Sequence, residues 1–270
     1  DYLYCSLSKR MNRPEECNLN DGRVNIKIQQ APGFITSGQR FGTGALNFNA
    51  YENQLLVLPG TSNGGALGLE NSSFSISFWA KRHSLGEQWI FGQGYPQIGS
   101  NNTKNKALHI GFREEDHSLS PNSPTLAFFS EDIHMPRNAP FPVDTERWHH
   151  YVMTYDFTTQ KQRIVINGDL KNAASRKASN HFIGNADHFV FNIGKRRDKD
   201  PYFDGLLDEV WVFDTALSDV EILELNRNNM ASSSDSEYVD IPEPKSYAAI
   251  IGVISMGLSM AQRRRRSNDW

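Results

Sequence analysis

The chain has 270 residues, of which 38% are hydrophobic and 22% charged, with a formal net charge of −3. That length suits one large all-β domain or two ordinary ones, and the modest apolar content with 20 Gly argues against a helical membrane bundle. Residues 245–270 hold Lys245 and Arg263 to Arg266 against Asp269 alone, leaving 23 basic and 30 acidic residues elsewhere. An acidic body argues against nucleic acid as a partner, because phosphate neutralisation needs a basic surface.

The apolar pattern predicts a succession of short strands. Tyr2 to Leu7 and the alternating Arg23 to Gln29 come first, the second as an edge strand. Ala45 to Asn49 and Gln54 to Leu58 follow, the latter stopping at Pro59-Gly60. Ser73 to Lys81 has the cleanest period of two, with Phe74, Ile76, Phe78 and Ala80 inward. Trp89 to Phe91, Ala107 to Arg113 and Thr125 to Phe129 continue the series, separated by polar loops at 95–106, 114–124 and 130–147. Trp148 to Tyr155 is another strand. Asn167-Gly168, between extended arms, supplies the two positive-φ positions of a type I′ turn. Phe189 to Lys195 precedes the closing strand, Leu206 to Phe213.

In that closing strand simple alternation puts Leu207, Glu209, Trp211 and Phe213 on one face and Leu206, Asp208, Val210 and Val212 on the other. Both faces are mostly apolar, as for a central strand covered on both sides. Ser218-Asp219-Val220-Glu221 then fits a capping box opening one short helix. Ten to twelve short strands and one brief helix predict a jelly-roll-like β-sandwich.

The chemistry-bearing residues are sparse. His149 and His150 are adjacent in a strand, so they point to opposite faces and do not chelate one ion; one is expected packed and the other exposed. Neither His nor Cys shows zinc spacing. Glu114-Glu115-Asp116 and Glu131-Asp132 sit in polar loops and read as solvated. Trp79, Trp148 and Trp211 read as core; Trp89 and Tyr95 flank a Gly-rich loop, where stacking on a sugar and burial are both open. Cys5 and Cys17 either remain free thiols or close a small loop whose bridge contributes about 3 kcal/mol.

Phe74-Ser75-Ile76-Ser77-Phe78-Trp79, Trp148-His149-His150-Tyr151, Ile166-Asn167-Gly168, Ile193-Gly194-Lys195, Phe203-Asp204-Gly205-Leu206-Leu207-Asp208-Glu209-Val210 and Ala216-Leu217-Ser218 stand in a recurrent order. That order resembles the laminin-G-like branch of the concanavalin A-like lectin and glucanase superfamily, over residues 1–228. The resemblance implies an all-β concanavalin A-like sandwich serving lectins, adhesion modules, pentraxins and glycosidases alike. The Glu-x-Asp-x-x-Glu catalytic strand of the laminarinase-like relatives is absent, so a non-catalytic module is expected. Asp208 matches the acidic position at which several relatives hold a structural calcium ion, with Asp204 and Asp156 as weaker candidates. The alternative for Asp208 is a carboxylate accepting backbone N–H groups.

Residues 229–240 form a polar, Ser-rich linker. Pro242-Glu243-Pro244, an uncharged stretch from Ser246 to Gln262, and Arg263, Arg264, Arg265 and Arg266 complete a segment over 241–266. A helix from Tyr247 to Ala261 extends about 22 Å, short of the ~30 Å hydrocarbon core; snorkelling arginines shorten the gap and orient the sandwich outward. This tripartite tail resembles the PEP-CTERM sorting signal of Gram-negative bacteria. It implies export, transient inner-membrane anchoring, processing by an exosortase-type enzyme, and a final place at the cell surface or in the extracellular matrix. Export favours a bridge between Cys5 and Cys17. The expected function is a binding module for extracellular polysaccharide or a surface protein. The alternatives are a glycoside hydrolase or lyase of the same fold, or a structural matrix component without a small ligand.

Overall fold

The structure, a computed structural model, describes residues 27–42, 44–58, 67, 69, 72–93, 108–118, 120–128, 132–178, 191–195 and 201–227. Cys5, Cys17, Tyr95, the strand expected at Tyr2 to Leu7, the linker 229–240 and the tail segment 241–266 lie outside the described residues. Within them the chain is an all-β sandwich of two antiparallel sheets with one short helix.

The first sheet is built from β1 (Lys27–Gln30), β4 (Leu55–Leu58), β13 (Phe191–Ile193), β6 (Gln88–Gln93), β7 (Leu108–Phe112), β8 (Pro124–Phe128) and β9 (Ile133–His134), in that order. The second runs β12 (Ala174–Lys177), β11 (Lys161–Ile166), β10 (His149–Asp156), β5 (Phe74–Arg82), β14 (Gly205–Phe213), β3 (Ala45–Phe48) and β2 (Gly33–Ile35). Among the described residues the second sheet ends on two short edges, a three-residue β2 and a β12 whose Ser175, Arg176 and Lys177 are exposed.

Period-two alternation in β5 works as expected. Phe74, Ile76, Phe78 and Ala80 enter the core between the sheets, where they meet Tyr151, Met153 and Tyr155 of β10 and Phe91 of β6. Phe78 stacks on Tyr151 with centroids 5.3 Å apart and meets Phe91 edge-on at 5.2 Å. Each such fully buried side chain contributes about 1.5–3 kcal/mol over exposure.

The closing strand departs from simple alternation. Asp208 pairs with Trp79, but the next pair is Trp211 with Ser77, so β14 carries one residue more than β5 over that step. This is a β-bulge, with Glu209 at φ 47°. Past the bulge the faces exchange: Leu207, Val210 and Val212 all reach the inner core, and Trp211 and Phe213 join Val152 and Val165 on the outer side. Helix α1 (Asp219–Arg227) covers that outer side with Ile222 and Leu225. Its capping box forms as expected: Glu221 Oε2 accepts from Ser218 N at 2.7 Å, and Glu221 N donates to Ser218 Oγ.

The Asn-Gly turn forms as well, with Asn167 at φ 52°, Gly168 at φ 71° and Asp169 N donating to Ile166 O. Its second arm does not resume at once, because β11 pairs with β12 through Ile164 and Ala174. Asn167 is instead occupied with β10, its Oδ1 accepting from His150 N at 2.9 Å.

Candidate functional site

The outer face of the first sheet carries a strip of aromatic and polar side chains, in which Trp89, His109, Thr125 and Lys195 are buried. Its centre follows from alternation in β7. Leu108, Ile110 and Phe112 face the core, leaving His109 and Gly111 outward, with Arg113 next on that face. Trp89 of β6 lies opposite Gly111, and its indole covers that glycine. A Cβ at Gly111 would sit 2.2 Å from Gln88 O and 2.8 Å from Trp89 Cε3, so only glycine admits the ring. Trp89 itself is 0% exposed, which decides for burial over sugar stacking. Its Nε1 donates to Glu87 Oε1 at 2.8 Å, His109 meets it edge-on at 5.9 Å, and the Arg113 guanidinium lies 5.2 Å from its ring.

The strip continues from Trp89 in both directions. On one side Tyr202 forms a parallel bridge with Trp89, and Lys195 Nζ donates to the Tyr202 hydroxyl at 2.8 Å while lying 4.1 Å from its ring centre. On the other, Gly111 pairs with Thr125 and Thr125 with His134. Thr125 Oγ1 and Nδ1 of His134 share a hydrogen bond at 2.9 Å. His117 meets the His134 ring edge-on at 5.1 Å, and Arg113 forms a salt bridge with Asp132. Burial, reinforced by the Arg113 charge, lowers His134 to about 4, so it is neutral near pH 7. Arg113, Asp132, His117, His134 and Tyr202 remain partly exposed. Ring faces with fixed donors and acceptors suit a ligand that is apolar on one side and rich in hydroxyls on the other.

Asp208 lies on the other sheet. Its Oδ2 accepts from the backbone N–H groups of Arg40 at 2.9 Å and Phe41 at 3.0 Å, and its Oδ1 from Glu209 N at 2.9 Å. Burial pushes it up to about 6 against those three bonds. Calcium collects carboxylate and carbonyl oxygens, whereas three N–H donors surround this carboxylate, so the residues present fit the hydrogen-bonded alternative. Asp204 accepts from Ser84 Oγ, and Asp156 closes a turn by accepting from Thr158 N and Thr159 N. The structure does not bring these three aspartates together, and among the described residues no group of three or more His, Cys, Asp or Glu is placed to hold a metal ion.

His149 and His150 do point to opposite faces, but neither is exposed, at 7% and 1%. His149 bridges Asp144 and Asn167, while His150 Nε2 lies 2.8 Å from Ser77 Oγ and its ring stacks on Trp79. Trp79 and Trp211 are buried on the outer side of the second sheet rather than between the sheets, and half-buried Trp148 donates to Gly38 O. Of the polar-loop acids, Glu115 and Asp116 are exposed as expected, whereas Asp132 joins the strip through Arg113. Sequence reasoning passed over Arg113, His117, His134, Lys195 and Tyr202. The alternation of Leu108 to Arg113 held the signal for the first; His134 and Tyr202 arrive through pairing across the sheet, His117 through its ring contact with His134 and Lys195 through its bond to Tyr202.

A family model for the concanavalin A-like lectin/glucanases superfamily matches residues 54–223, well over half of the chain. The chain belongs to that superfamily. Among solved structures of this lectin/glucanase fold, domain 4 of AbnA, a GH43 extracellular arabinanase from Geobacillus stearothermophilus solved in complex with arabinotriose, aligns with a TM-score of 0.53 at 17% identity, covering 77% of this chain and 91% of that one. The binding domain of Paraclostridial Mosquitocidal Protein 1 aligns at 0.52 and 15% identity, over 76% of this chain and 48% of that one, so the match spans about half the latter's length. At such identities the likeness is one of fold. No curated protein matches the sequence.

Proposed function

We propose that this member of the lectin/glucanase superfamily is a non-catalytic binding module for extracellular polysaccharide, and that it engages its ligand through the strip on the first sheet. The observation that carries this reading is the strip's chemistry: partly exposed Tyr202, His134 and Arg113 held in place by Lys195, Thr125 and Asp132. Aromatic faces suit the C–H side of a pyranose or furanose, and a guanidinium–carboxylate pair suits its hydroxyls. The arabinotriose bound to domain 4 of AbnA is in keeping with this use of the fold. The tail motif Pro242-Glu243-Pro244 with Arg263 to Arg266 supports export and exosortase-type release to the surface or matrix. Residues 1–228, 229–240 and 241–266 then act as binding domain, spacer and sorting segment.

The test is a glycan array paired with a reducing-sugar assay on the purified chain. Binding without turnover is expected. Arg113→Ala should weaken it about 10- to 100-fold, the range for a hydrogen bond to a charged group, and Tyr202→Ala should weaken it too. A blank array, release of reducing sugar, or full affinity in both variants would overturn the proposal.

A further inference from the structure

The apolar filling between the sheets ends, at the close of β5, on a charge. Phe74, Ile76, Phe78 and Ala80 point into the core, and Arg82 follows them on that face as the last residue of the strand. It is 5% exposed, and its guanidinium lies 4.2 Å from the centre of the Phe112 ring of β7. A buried charge is costly unless it is paired and hydrogen-bonded. Arg82 uses one N–H on the protein, from Nη2 to Gly86 O at 2.8 Å, and its buried Nε has no partner. Among the described residues no carboxylate forms a salt bridge with it. Burial lowers Arg82 to about 10 from 12.5, so it remains a cation near pH 7.

Tyr151 of β10 adjoins the same ring. Phe112, which carries the guanidinium, meets the Tyr151 ring edge-on at 5.5 Å. Tyr151 is 2% exposed, and burial pushes its phenol up, so the hydroxyl keeps its proton. Among the described residues that hydroxyl has no hydrogen-bond partner. The acids that act on these two groups are committed elsewhere or lie outside. Glu115 is exposed, and Asp144 is held by His149 and Arg147. Gly86, which takes the one bond from Arg82, sits in a loop anchored by its own N–H on Asn122 Oδ1 at 2.8 Å. A Cβ at Gly86 would meet nothing within 4 Å, so that loop borders open space.

We propose that Arg82 and Tyr151 form an anion site at this end of the sandwich, which takes the carboxylate of an acidic ligand on the guanidinium and the phenol. A guanidinium fork matches the two oxygens of a carboxylate, and the phenol O–H adds a further donor. One cation and one neutral donor balance a single negative charge, which selects a carboxylate over a doubly charged sulfate or phosphate. The site is separate from the strip, because Phe112 and Tyr151 belong to the core between the sheets and the strip lies on the outer face of the first sheet. The carboxylate comes either from a uronic acid of a polysaccharide or from a free small acid, and the test below separates the two sources.

The melting temperature of the whole chain, followed against acetate, glucuronate and sulfate at constant ionic strength, tests this, since a ligand bound by the folded state raises it. Acetate and glucuronate should raise it saturably, and sulfate should do so only weakly. Equal apparent affinity for the two carboxylates supports the site with a free acid as its ligand; tighter glucuronate supports it with an acidic sugar. Arg82→Met keeps an apolar stem on Phe112 and should abolish the carboxylate effect. Tyr151→Phe keeps the ring and removes one donor, and should weaken the apparent affinity about 10- to 100-fold, the range for a hydrogen bond to a charged group. This second variant keeps the test decisive if Arg82→Met does not fold. No saturable effect of either carboxylate, sulfate as effective as acetate, or a carboxylate effect retained in full in Tyr151→Phe would overturn the site.

Discussion

Gly111→Ala is the sharpest single test of how the strip is built. The substitution adds one methyl group at a position without positive φ, so backbone strain plays no part. Reducing the freedom of the unfolded chain would by itself stabilise the variant by about 0.4–1 kcal/mol. Opposing it, the new Cβ would stand 2.2 Å from the Gln88 carbonyl oxygen and 2.8 Å from Trp89 Cα, and both atoms are backbone. Neither can swing aside, so β6 and β7 must separate by the better part of an ångström, an overpacking cost of about 1–3 kcal/mol. The clash wins, and a net loss of about 1–2 kcal/mol is expected. Gly33→Ala is the control, since its Cβ meets nothing closer than 3.6 Å and only the entropic gain remains. Urea unfolding reads both variants: the midpoint should drop for Gly111→Ala with an unchanged m-value, and hold or rise for Gly33→Ala. A Gly111→Ala midpoint equal to or above that of Gly33→Ala would refute the packing of Trp89 on Gly111.

Three further outcomes are expected. Chelation with EDTA should leave the thermal melt unchanged while Asp208→Ala lowers it; equal, non-additive losses would instead assign a calcium ion to Asp208. Asp144 is held down at about 2, the hydrogen bonds from His149 and Arg147 outweighing a burial cost that raises it. Its stabilisation is thus present above 3.8 and lost as pH falls through about 2, so wild-type and Asp144→Asn melting temperatures should differ at pH 6 and converge near pH 2. In a host with an exosortase-type enzyme, two masses should be found, the smaller ending near Pro244, and a Glu243 replacement should leave only the larger in the membrane fraction; full-length protein soluble in the cytoplasm of that host would refute the sorting role.

Much of the sandwich was legible because its signals are local. The alternation of Phe74 to Ala80, the positive-φ pair Asn167-Gly168 and the Ser218–Glu221 capping box each determine a piece of backbone without outside help. The bulge in β14 was not legible, since Glu209 is neither glycine nor flanked by turn residues, and one extra residue reassigns every side chain beyond it. That is why Val210 and Val212 share the core with Leu207, and why Asp208 and Glu209 meet. The strip escaped for a different reason. Trp89, Thr125 and His134 are far apart in sequence, and only cross-strand register, which depends on a second bulge between Trp89 and Phe91, sets them in a row.

The edges of the second sheet bear on how densely such a protein can be stored. Unpaired strand edges invite another chain to add itself, and continued addition ends in fibres. Among the described residues one edge offers only three residues, Gly33 to Ile35, and the other exposes Arg176 and Lys177 in succession. An incoming strand would gain few ladder bonds at the first and meet two desolvation costs at the second. Copies crowded together at high concentration can therefore remain separate folded units.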